Sequence, residues 1–206
     1  EYLNGKRWNG KGKVYHDDEL KFEGEYLNGE ISGKGKEYRE GELIFEGEYL
    51  NGKRLNGKGK EYNYKGKLEF DGEYLNGKRW NGKGIEYNAN NEFIFEGEYI
   101  EGIKKGKIRE YYYNGILKFE GEYSNGFKNE NGKEYNENGD LLFDGRYING
   151  EKWSGKIKEY YDNGILKSEC EYKNGEKNGK GKEYFENKKL KFEGNYFNGV
   201  RKGKGK

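Results

Sequence analysis

The stretch Phe70–Tyr87 reads FDGEYLNGKRWNGKGIEY, and close variants of it recur along the whole chain. Each copy carries a small residue directly after an acidic one, and these positions are Gly24, Gly47, Gly72, Gly97, Gly121, Gly145, Cys170 and Gly194. Successive copies lie 23–25 residues apart. A fixed period of this length is typical of repeat proteins, in which each unit packs on its neighbours.

Within one copy the residues alternate as they do in a β-strand. In Leu20–Tyr26, LKFEGEY, apolar or small residues alternate with charged ones, which indicates a strand with one apolar and one solvated face. Asn28-Gly29 then marks a tight turn, and a second strand runs through Gly33–Tyr38. No window shows helical periodicity. The sequence therefore predicts an all-β fold, an elongated and twisted single-layer antiparallel sheet of tandem β-hairpins. We expect one continuous array over residues 1–206, with roughly eight and a half hairpins and both ends inside a repeat.

The hairpin loops come in two lengths, because either 12 or 13 residues separate the two tyrosines that flank each loop. The longer loops carry Trp8, Leu55, Trp80 and Trp153. We interpret the extra residue as a bulge or longer turn that aims an apolar side chain over the sheet. The tyrosine that ends the second strand, as at Tyr38, has the opposite parity from the glycines before it. Either the strand ends early, or a bulge changes its register.

Glycine recurs at a fixed register on the apolar face. Since glycine weakens a strand by about 0.5–1 kcal/mol, we expect a packing purpose, in which rings of neighbouring hairpins lie against the side-chain-free backbone. We call these positions the glycine notches, and they are Gly24, Gly47, Gly72, Gly97, Gly121, Gly145 and Gly194. Ile108 and Ile157 fill the corresponding gap of the second strand, so we expect those two repeats to pack differently.

The opposite face explains the charge balance. Charged residues make up 38% of the chain, yet the formal net charge is only +2, and aromatic residues make up 17%. Disordered chains have few aromatics and a large net charge, so we interpret this chain as folded. Acidic residues on one strand and lysines on the next are expected to face each other. Because the paired carboxylates repeat in every hairpin, they indicate a solvated row of charges and not a glycosidase centre.

Other chemistry is not supported by the residues present. The G-x-x-x-x-G-K pattern recurs, but it lacks the Ser or Thr and the helix of a phosphate-binding loop. Cys170 is the only cysteine and His16 the only histidine. We therefore interpret Cys170 as a small residue in a tight place, and we expect no disulfide, metal site or cofactor. No catalytic residue is predicted. Neither a signal peptide nor a run of ~20 apolar residues is visible.

The repeated motif F-E-G-E-Y-x-N-G-K-x-x-(x)-G-K-G-x-x-Y resembles the MORN repeat, Y-x-G-x-W-x-x-G-x-x-x-G-x-G-x-Y, over essentially the entire chain. This chain has Phe and then Tyr where that family more often has Tyr and then Trp. The segments Arg109–Gly115 and Lys158–Gly164 look more like the bacterial MORN-type antitoxin repeats, which use E-Y-Y-x-N-G. The resemblance implies an aromatic-lined groove, a scaffold that binds peptides or helices or assembles end to end, and a cytoplasmic, cytoskeletal or membrane-associated location.

We therefore predict a non-enzymatic scaffold that binds a partner protein segment, or another copy of itself in an oligomer or filament. An adaptor at an anionic membrane surface and an antitoxin or immunity protein are the alternatives, and the near-zero net charge argues against nucleic acid. The predicted partner groove consists of aromatic residues of the apolar face. They are Phe22, Tyr26, Phe45, Tyr49, Phe70, Tyr74, Trp80, Phe95, Tyr99, Phe119, Tyr123, Phe143, Tyr147 and Trp153.

Overall fold

The computed structural model describes residues 2–3 and 6–202. Regular structure in this part of the chain is entirely β-strand, so the predicted all-β fold of tandem antiparallel hairpins is confirmed. The expected ends of the array, at residue 1 and at residues 203–206, lie outside the described residues. The chain divides into two compact units, residues 1–86 with 98–103, and residues 87–97 with 104–206. That the array is one continuous domain stays a prediction.

The first unit begins with a small two-stranded pair and continues as an antiparallel meander in which each strand pairs with the next. Its strands are β1 (Tyr2–Leu3), β2 (Lys6–Arg7), β3 (Gly10–His16), β4 (Glu19–Leu27), β5 (Glu30–Arg39), β6 (Glu42–Leu50), β7 (Lys53–Tyr62), β8 (Leu68–Leu75) and β9 (Lys78–Tyr87). The following strand, β10 (Phe93–Ile100), contributes residues to both units.

The second unit has the same meander. Its further strands are β11 (Ile103–Tyr111), β12 (Leu117–Ser124), β13 (Phe127–Tyr135), β14 (Leu141–Ile148), β15 (Glu151–Tyr160), β16 (Leu166–Lys173), β17 (Glu176–Tyr184), β18 (Leu190–Phe197) and β19 (Val200–Lys202). In both units we call the face that carries the Phe and Tyr rings the inner face, and the face that carries the Lys and Glu rows the outer face.

The hairpin turns have the conformation that Asn-Gly favours. Asn28 and Gly29 have φ angles of 52° and 86°, and Asn76 and Gly77 have 52° and 74°. Two successive positive φ angles define a type I′ turn, whose twist matches that of the flanking strands. The predicted tight turns are therefore present.

The parity conflict at Tyr38 is resolved by a bulge. Glu37 pairs with Phe45 whereas Tyr38 pairs with Leu43, so the register shifts between Glu37 and Tyr38. Glu37 consequently points to the inner face, and Tyr38 points to the outer face, where its hydroxyl donates to Glu23 at 2.8 Å. The same shift recurs at other Glu-Tyr pairs of the second strands.

A bulge interrupts the longer loops, as between Glu73 and Tyr74, but the shorter loops contain one too, as between Gly24 and Tyr26, so it does not depend on the extra residue. In both kinds of hairpin the bulged strand accepts a hydrogen bond from the turn of the next hairpin. The Trp80 carbonyl accepts a hydrogen bond from the Gly102 amide at 2.8 Å, and the Asn81 side chain accepts one from the Glu101 amide at 2.9 Å. A methyl group at Gly102 would lie 3.6 Å from the Trp80 ring. The bulge therefore places its tryptophan beside the neighbouring turn.

Each glycine notch of the first strand is occupied from within its own hairpin. A methyl group at Gly24 would lie 2.5 Å from the Phe22 ring, and one at Gly35, directly across, would lie 2.6 Å from the same ring. Tyr49 of the next hairpin approaches Gly35 as well, at 3.0 Å. We expected the neighbour's rings in these gaps. The structure instead lays each phenylalanine over the glycine two residues after it, and the neighbour's tyrosine closes the far side.

The longer hairpins leave even less room at this position. A methyl group at Gly47 would collide with the Asn56 carbonyl oxygen and lie 2.7 Å from the Gly57 Cα atom. Because both are backbone atoms, neither can move without opening the hairpin.

We therefore expect Gly47→Ala to lower the free energy of unfolding by more than about 2 kcal/mol, measured by urea denaturation. Glu46→Gln is the matched control, since the Glu46 side chain is 58% exposed on the outer face and pairs there with Lys36. Equal losses in the two variants would contradict this account of the notch.

Candidate functional site

Within each unit, the inner face carries a ladder of aromatic rings that joins most hairpins to the next one. In the first unit the ring centroids are 5.3 Å apart for Phe22 and Tyr49, and 5.5 Å apart for Phe45 and Tyr74. The rings meet edge to face, the arrangement that aromatic quadrupoles favour. Contacts of the same kind join Phe70 with Tyr99, Phe119 with Tyr147, and Phe143 with Tyr172.

The two isoleucine-filled repeats behave differently from one another. Ile108 is 2% exposed, and its Cδ1 atom lies where a side chain at Gly97 would be. No ring contact joins Phe95 with Tyr123 in the described part of this unit, so the ladder is altered here as expected. At Ile157 the ladder continues, because Phe143 still meets Tyr172 at 5.9 Å.

A cation lies over most of the phenylalanine rings. The Arg54 guanidinium carbon is 4.5 Å from the Phe45 ring centroid, and the Lys104 ammonium is 3.6 Å from that of Phe95. Such contacts are attractive, and more so where water is excluded. The other pairs are Arg79 over Phe70, Lys128 over Phe119, Lys152 over Phe143, and Arg201 over Phe192.

Each of several cations is held in place by an inward-pointing glutamate. Glu37 accepts hydrogen bonds from the Tyr49 hydroxyl at 2.7 Å and from the Arg54 Nε atom at 3.2 Å. We call this arrangement the Tyr–Glu–cation triad. The same triad is formed by Tyr123, Glu110 and Lys128, by Tyr147, Glu134 and Lys152, and by Tyr196, Glu183 and Arg201.

The triads shift the proton affinities of their members. Burial, followed by the hydrogen bond to Glu37, raises the pKa of Tyr49 far above its usual value. Burial and the hydrogen bond to Glu86 raise the pKa of Tyr99 to about 12. Burial alone would raise the pKa of Glu134, but the hydrogen bond and charge of Lys152 outweigh it and lower that pKa. At neutral pH the tyrosines are therefore protonated and Glu134 is charged.

Sequence reasoning missed these glutamates, because every acid was assigned to the solvated rows. The signal was present in the Glu-Tyr pair that ends each second strand. The glutamate has the same parity as the inner-face glycine two residues before it, as Glu37 has with Gly35, so strand alternation already places it on the inner face. The cation five residues after most inner tyrosines, as in Tyr49 and Arg54, was a second signal, and only Tyr26 has an apolar residue, Ile31, at that position.

The predicted groove residues fall into two groups by exposure. The phenylalanines and three of the tyrosines are buried by the ladder itself. They are Phe22, Phe45, Tyr49, Phe70, Tyr74, Phe95, Phe119, Phe143 and Tyr147. The others are half-buried or exposed, and they are Tyr26, Trp80, Tyr99, Tyr123 and Trp153. Only this second group presents aromatic surface that a partner could contact, and such contact stays a prediction.

The outer face carries the alternating charges that the sequence predicted. Lys36 lies directly across from Glu23 on one side and Glu46 on the other, and its ammonium is 3.2 Å from Glu46. The first unit has a depression of about 910 Å³ here, lined by such side chains and by the backbone of glycines that include Gly35. A depression of about 490 Å³ in the second unit is lined in the same way. Because opposite charges alternate so evenly, the outer face has no strong electrostatic potential of either sign.

A second repeat also departs from the ladder. Ser168 takes the place of the phenylalanine and donates a hydrogen bond to Glu159 at 2.7 Å, while Lys177 pairs with Glu159 at 2.7 Å. Cys170 takes the place of the notch glycine and is 5% exposed. Because the ring is missing, the thiol can occupy the space that a phenylalanine would fill. Burial raises the pKa of Cys170 to about 11, which suits an inert packing residue better than a nucleophile.

The family comparison agrees with this geometry. The model of a MORN repeat variant matches residues 104–125, 153–174 and 177–198, all of them in the second unit. The second unit of this chain therefore contains MORN repeats. Each matched segment runs from the second strand of one hairpin through the first strand of the next. No curated protein matches the chain.

MORN repeats serve as structural modules that bind proteins or membranes. In this chain the second tyrosine of each E-Y-Y segment has a structural role. The Tyr112 hydroxyl donates to the Tyr135 carbonyl at 2.8 Å, and the Tyr161 hydroxyl donates to the Tyr184 carbonyl at 2.9 Å. Both bonds tie one repeat to the next.

Two further features of the described residues concern metal binding and membrane spans. Across residues 2–3 and 6–202, no three His, Cys, Asp or Glu side chains converge in a way that would hold a metal ion. In the same part of the chain there is no helix long and apolar enough to cross a membrane.

The pair Ser168 and Cys170 should be energetically coupled. A phenylalanine at 168 would collide with the Cys170 side chain, whereas Cys170→Gly alone would leave a gap. We expect Ser168→Phe with Cys170→Gly to be more stable than the two single changes predict, by a coupling energy of about 1–3 kcal/mol. Denaturation of the four proteins measures this energy, and strictly additive effects would show that the two sites are independent.

Stability should fall in mild acid because of the inner-face glutamates. The pKa values of Glu134, Glu159 and Glu183 are lowered in the folded protein, so it binds fewer protons than the unfolded chain near pH 4. Their contribution is present above the usual glutamate pKa of about 4.3 and is lost as the pH falls below it. We expect Glu134→Gln and Lys152→Met each to flatten the pH dependence of the unfolding free energy between about pH 5 and pH 3. Slopes identical to that of the unaltered protein would refute the assignment.

Proposed function

We propose that this protein is a non-enzymatic scaffold that binds a segment of a partner protein, or a further copy of itself, through the exposed aromatic residues of its predicted groove. One observation carries the proposal. The charged groups of the inner face are bound to one another in repeated triads, while the rings of Tyr26, Trp80, Tyr99 and Tyr123 keep partly exposed surface. Aromatic residues at a rigid site are the usual anchors of protein interfaces.

The repetition of the polar groups argues against catalysis. An active site combines a few groups that occur once, with one of them poised to exchange a proton. Here Glu37 and Glu134 have the same kind of partners in different hairpins. Arrangements that recur in this way serve the fold.

The two alternatives receive less support from the contacts. An anionic membrane would need unpaired cations, yet several outward lysines pair with acids, as Lys13 does with Glu23 and Lys182 with Glu193. The antitoxin alternative depended on the E-Y-Y segments, whose second tyrosines tie successive repeats together.

Site-specific photocrosslinking tests the proposal. A photoreactive phenylalanine analogue replaces Trp153, which is 39% exposed in the β15 bulge, or Tyr113, which is 74% exposed in a turn and serves as the control. In cells of the source organism, we expect position 153 to crosslink to one defined protein or to a second copy, and position 113 not to do so. Absence of any crosslink that is specific to position 153 would refute the groove. Pelleting with anionic vesicles, abolished by added salt, would favour the membrane alternative instead.

A further inference from the structure

A row of exposed aliphatic side chains lies along the turn edge of the first unit. We call it the leucine row, and it consists of Leu27, Leu50, Leu75 and Ile100, which are 56%, 52%, 38% and 37% exposed. Each is the last residue before a type I′ turn. Leu50 pairs across the turn with Lys53, and Leu75 pairs with Lys78. By strand alternation these side chains belong to the outer face, at its border, and not to the aromatic ladder.

The fold does not require apolar residues at these positions. In the second unit the equivalent residues include Ser124 and Lys173, which precede turns with the same pair of positive φ angles. Serine and lysine therefore support the hairpin as well as leucine does. Four successive exposed aliphatic residues in one unit consequently have a reason outside the packing of the chain. Exposed apolar surface of this kind marks an interaction site.

The spacing of the row identifies what fits it. Successive members are two strands apart, which is about 10 Å. An α-helix rises about 1.5 Å per residue, so residues seven apart are about 10.5 Å apart on one face. A helix that crosses the strands would place one apolar residue of each heptad beside each member of the row. Because neighbouring strands are rotated by about 20–25°, a straight helix would follow two or three members, which corresponds to two or three heptads.

The charges beside the row favour an acidic helix. Lys53 and Lys78 are exposed, and neither forms an ion pair within the described residues. The acids two residues before the leucines are already occupied. Glu48 accepts a hydrogen bond from Asn56 at 2.9 Å, and Glu73 accepts one from Asn81 at 3.0 Å.

Beside Leu50 and Leu75, the centre of the row, the free charge is therefore positive, whereas Leu27 at its end pairs across the turn with the exposed Glu30. A second copy docked face to face would bring lysine against lysine, which disfavours self-association here.

We propose that the leucine row, centred on Leu50 and Leu75, docks an acidic amphipathic helix that has an apolar residue at every seventh position. This surface is separate from the aromatic groove, so it adds a second partner site to the scaffold. Members of the leucine row would contact the apolar residues of the helix at two or three points, and Lys53 and Lys78 would pair with the glutamates that flank those residues.

A synthetic peptide tests the proposal with the full 206-residue chain. The peptide has three heptads, about 21 residues, with leucine at one position of each heptad and glutamates beside it. One comparison peptide carries the leucines five residues apart, and the other carries lysine in place of glutamate. Binding is measured by fluorescence anisotropy. We expect the acidic heptad peptide to bind the chain at least about tenfold more tightly than either comparison peptide.

Substitutions in the chain locate the binding. Leu50→Ser with Leu75→Ser should weaken binding of the acidic peptide by about tenfold or more, and Lys53→Glu with Lys78→Glu should shift the preference toward the lysine peptide. Phe197→Ser is the matched control, since Phe197 is 51% exposed at the equivalent position of the second unit; it should leave the affinity unchanged. Unaltered melting temperatures establish that the variants are folded.

Three results would overturn the proposal. The first is that the acidic heptad peptide does not bind at about 1 mM. The second is that the leucine variant binds this peptide as tightly as the unaltered chain does. The third is that the chain binds anionic vesicles in preference to the peptide, through the same leucines. The last result would assign the row to a lipid surface. None of them bears on the crosslink at Trp153, which reports on the aromatic groove alone.

Discussion

A phenylalanine ring that packs over the backbone of two facing glycines is the contact on which the rest of this structure depends. Phe22 covers Gly24 in its own strand and Gly35 in the facing strand, so neither position tolerates even a methyl group. The ring also meets a tyrosine of the next hairpin. One side chain thereby holds two strands together and joins two repeats. Since an isolated hairpin is marginal in water, this double contact makes the array a folded protein.

The polar layer above the rings explains how a chain with only 31% hydrophobic residues builds a core. Arg54 lies over the Phe45 ring, and Glu37 binds both the arginine and the Tyr49 hydroxyl. Leaving any one of these groups buried alone would be costly. Together they satisfy one another and shield the ring from water, so charged residues replace the second apolar layer that a sandwich would supply. Repeats of this kind contact mainly the adjacent repeats, as in other repeat proteins.

Periodicity was enough to predict the fold class, the hairpins and their tight turns, because the same pattern recurs in every repeat. Prediction of the inner face was incomplete for a geometric reason. Alternation from Gly35 places Glu37 on the inner face and Tyr38 on the outer face, but the extra residue between Leu43 and Phe45 of the facing strand, which pair with Tyr38 and Glu37, could not be read from the repeat. Burial of Phe70, at 0% exposed, also could not be foreseen from the sequence. It depends on Arg79 and on the ring of the next hairpin, and this depth of packing reduces the predicted groove to the members that remain exposed.

The repeated design offers a way to separate residues that serve the fold from residues that do not. Where the ladder loses a ring at Ser168, the notch at Cys170 changes with it and the space stays filled, so the two positions constrain each other. No such constraint acts at the residue before each turn, where Leu50, Ser124 and Lys173 occupy equivalent places. Because the fold does not constrain this position, packing within the chain does not explain a run of leucines there, and contact with another molecule does. The same reasoning applied to Phe22 would indicate no such contact, because packing alone already accounts for it.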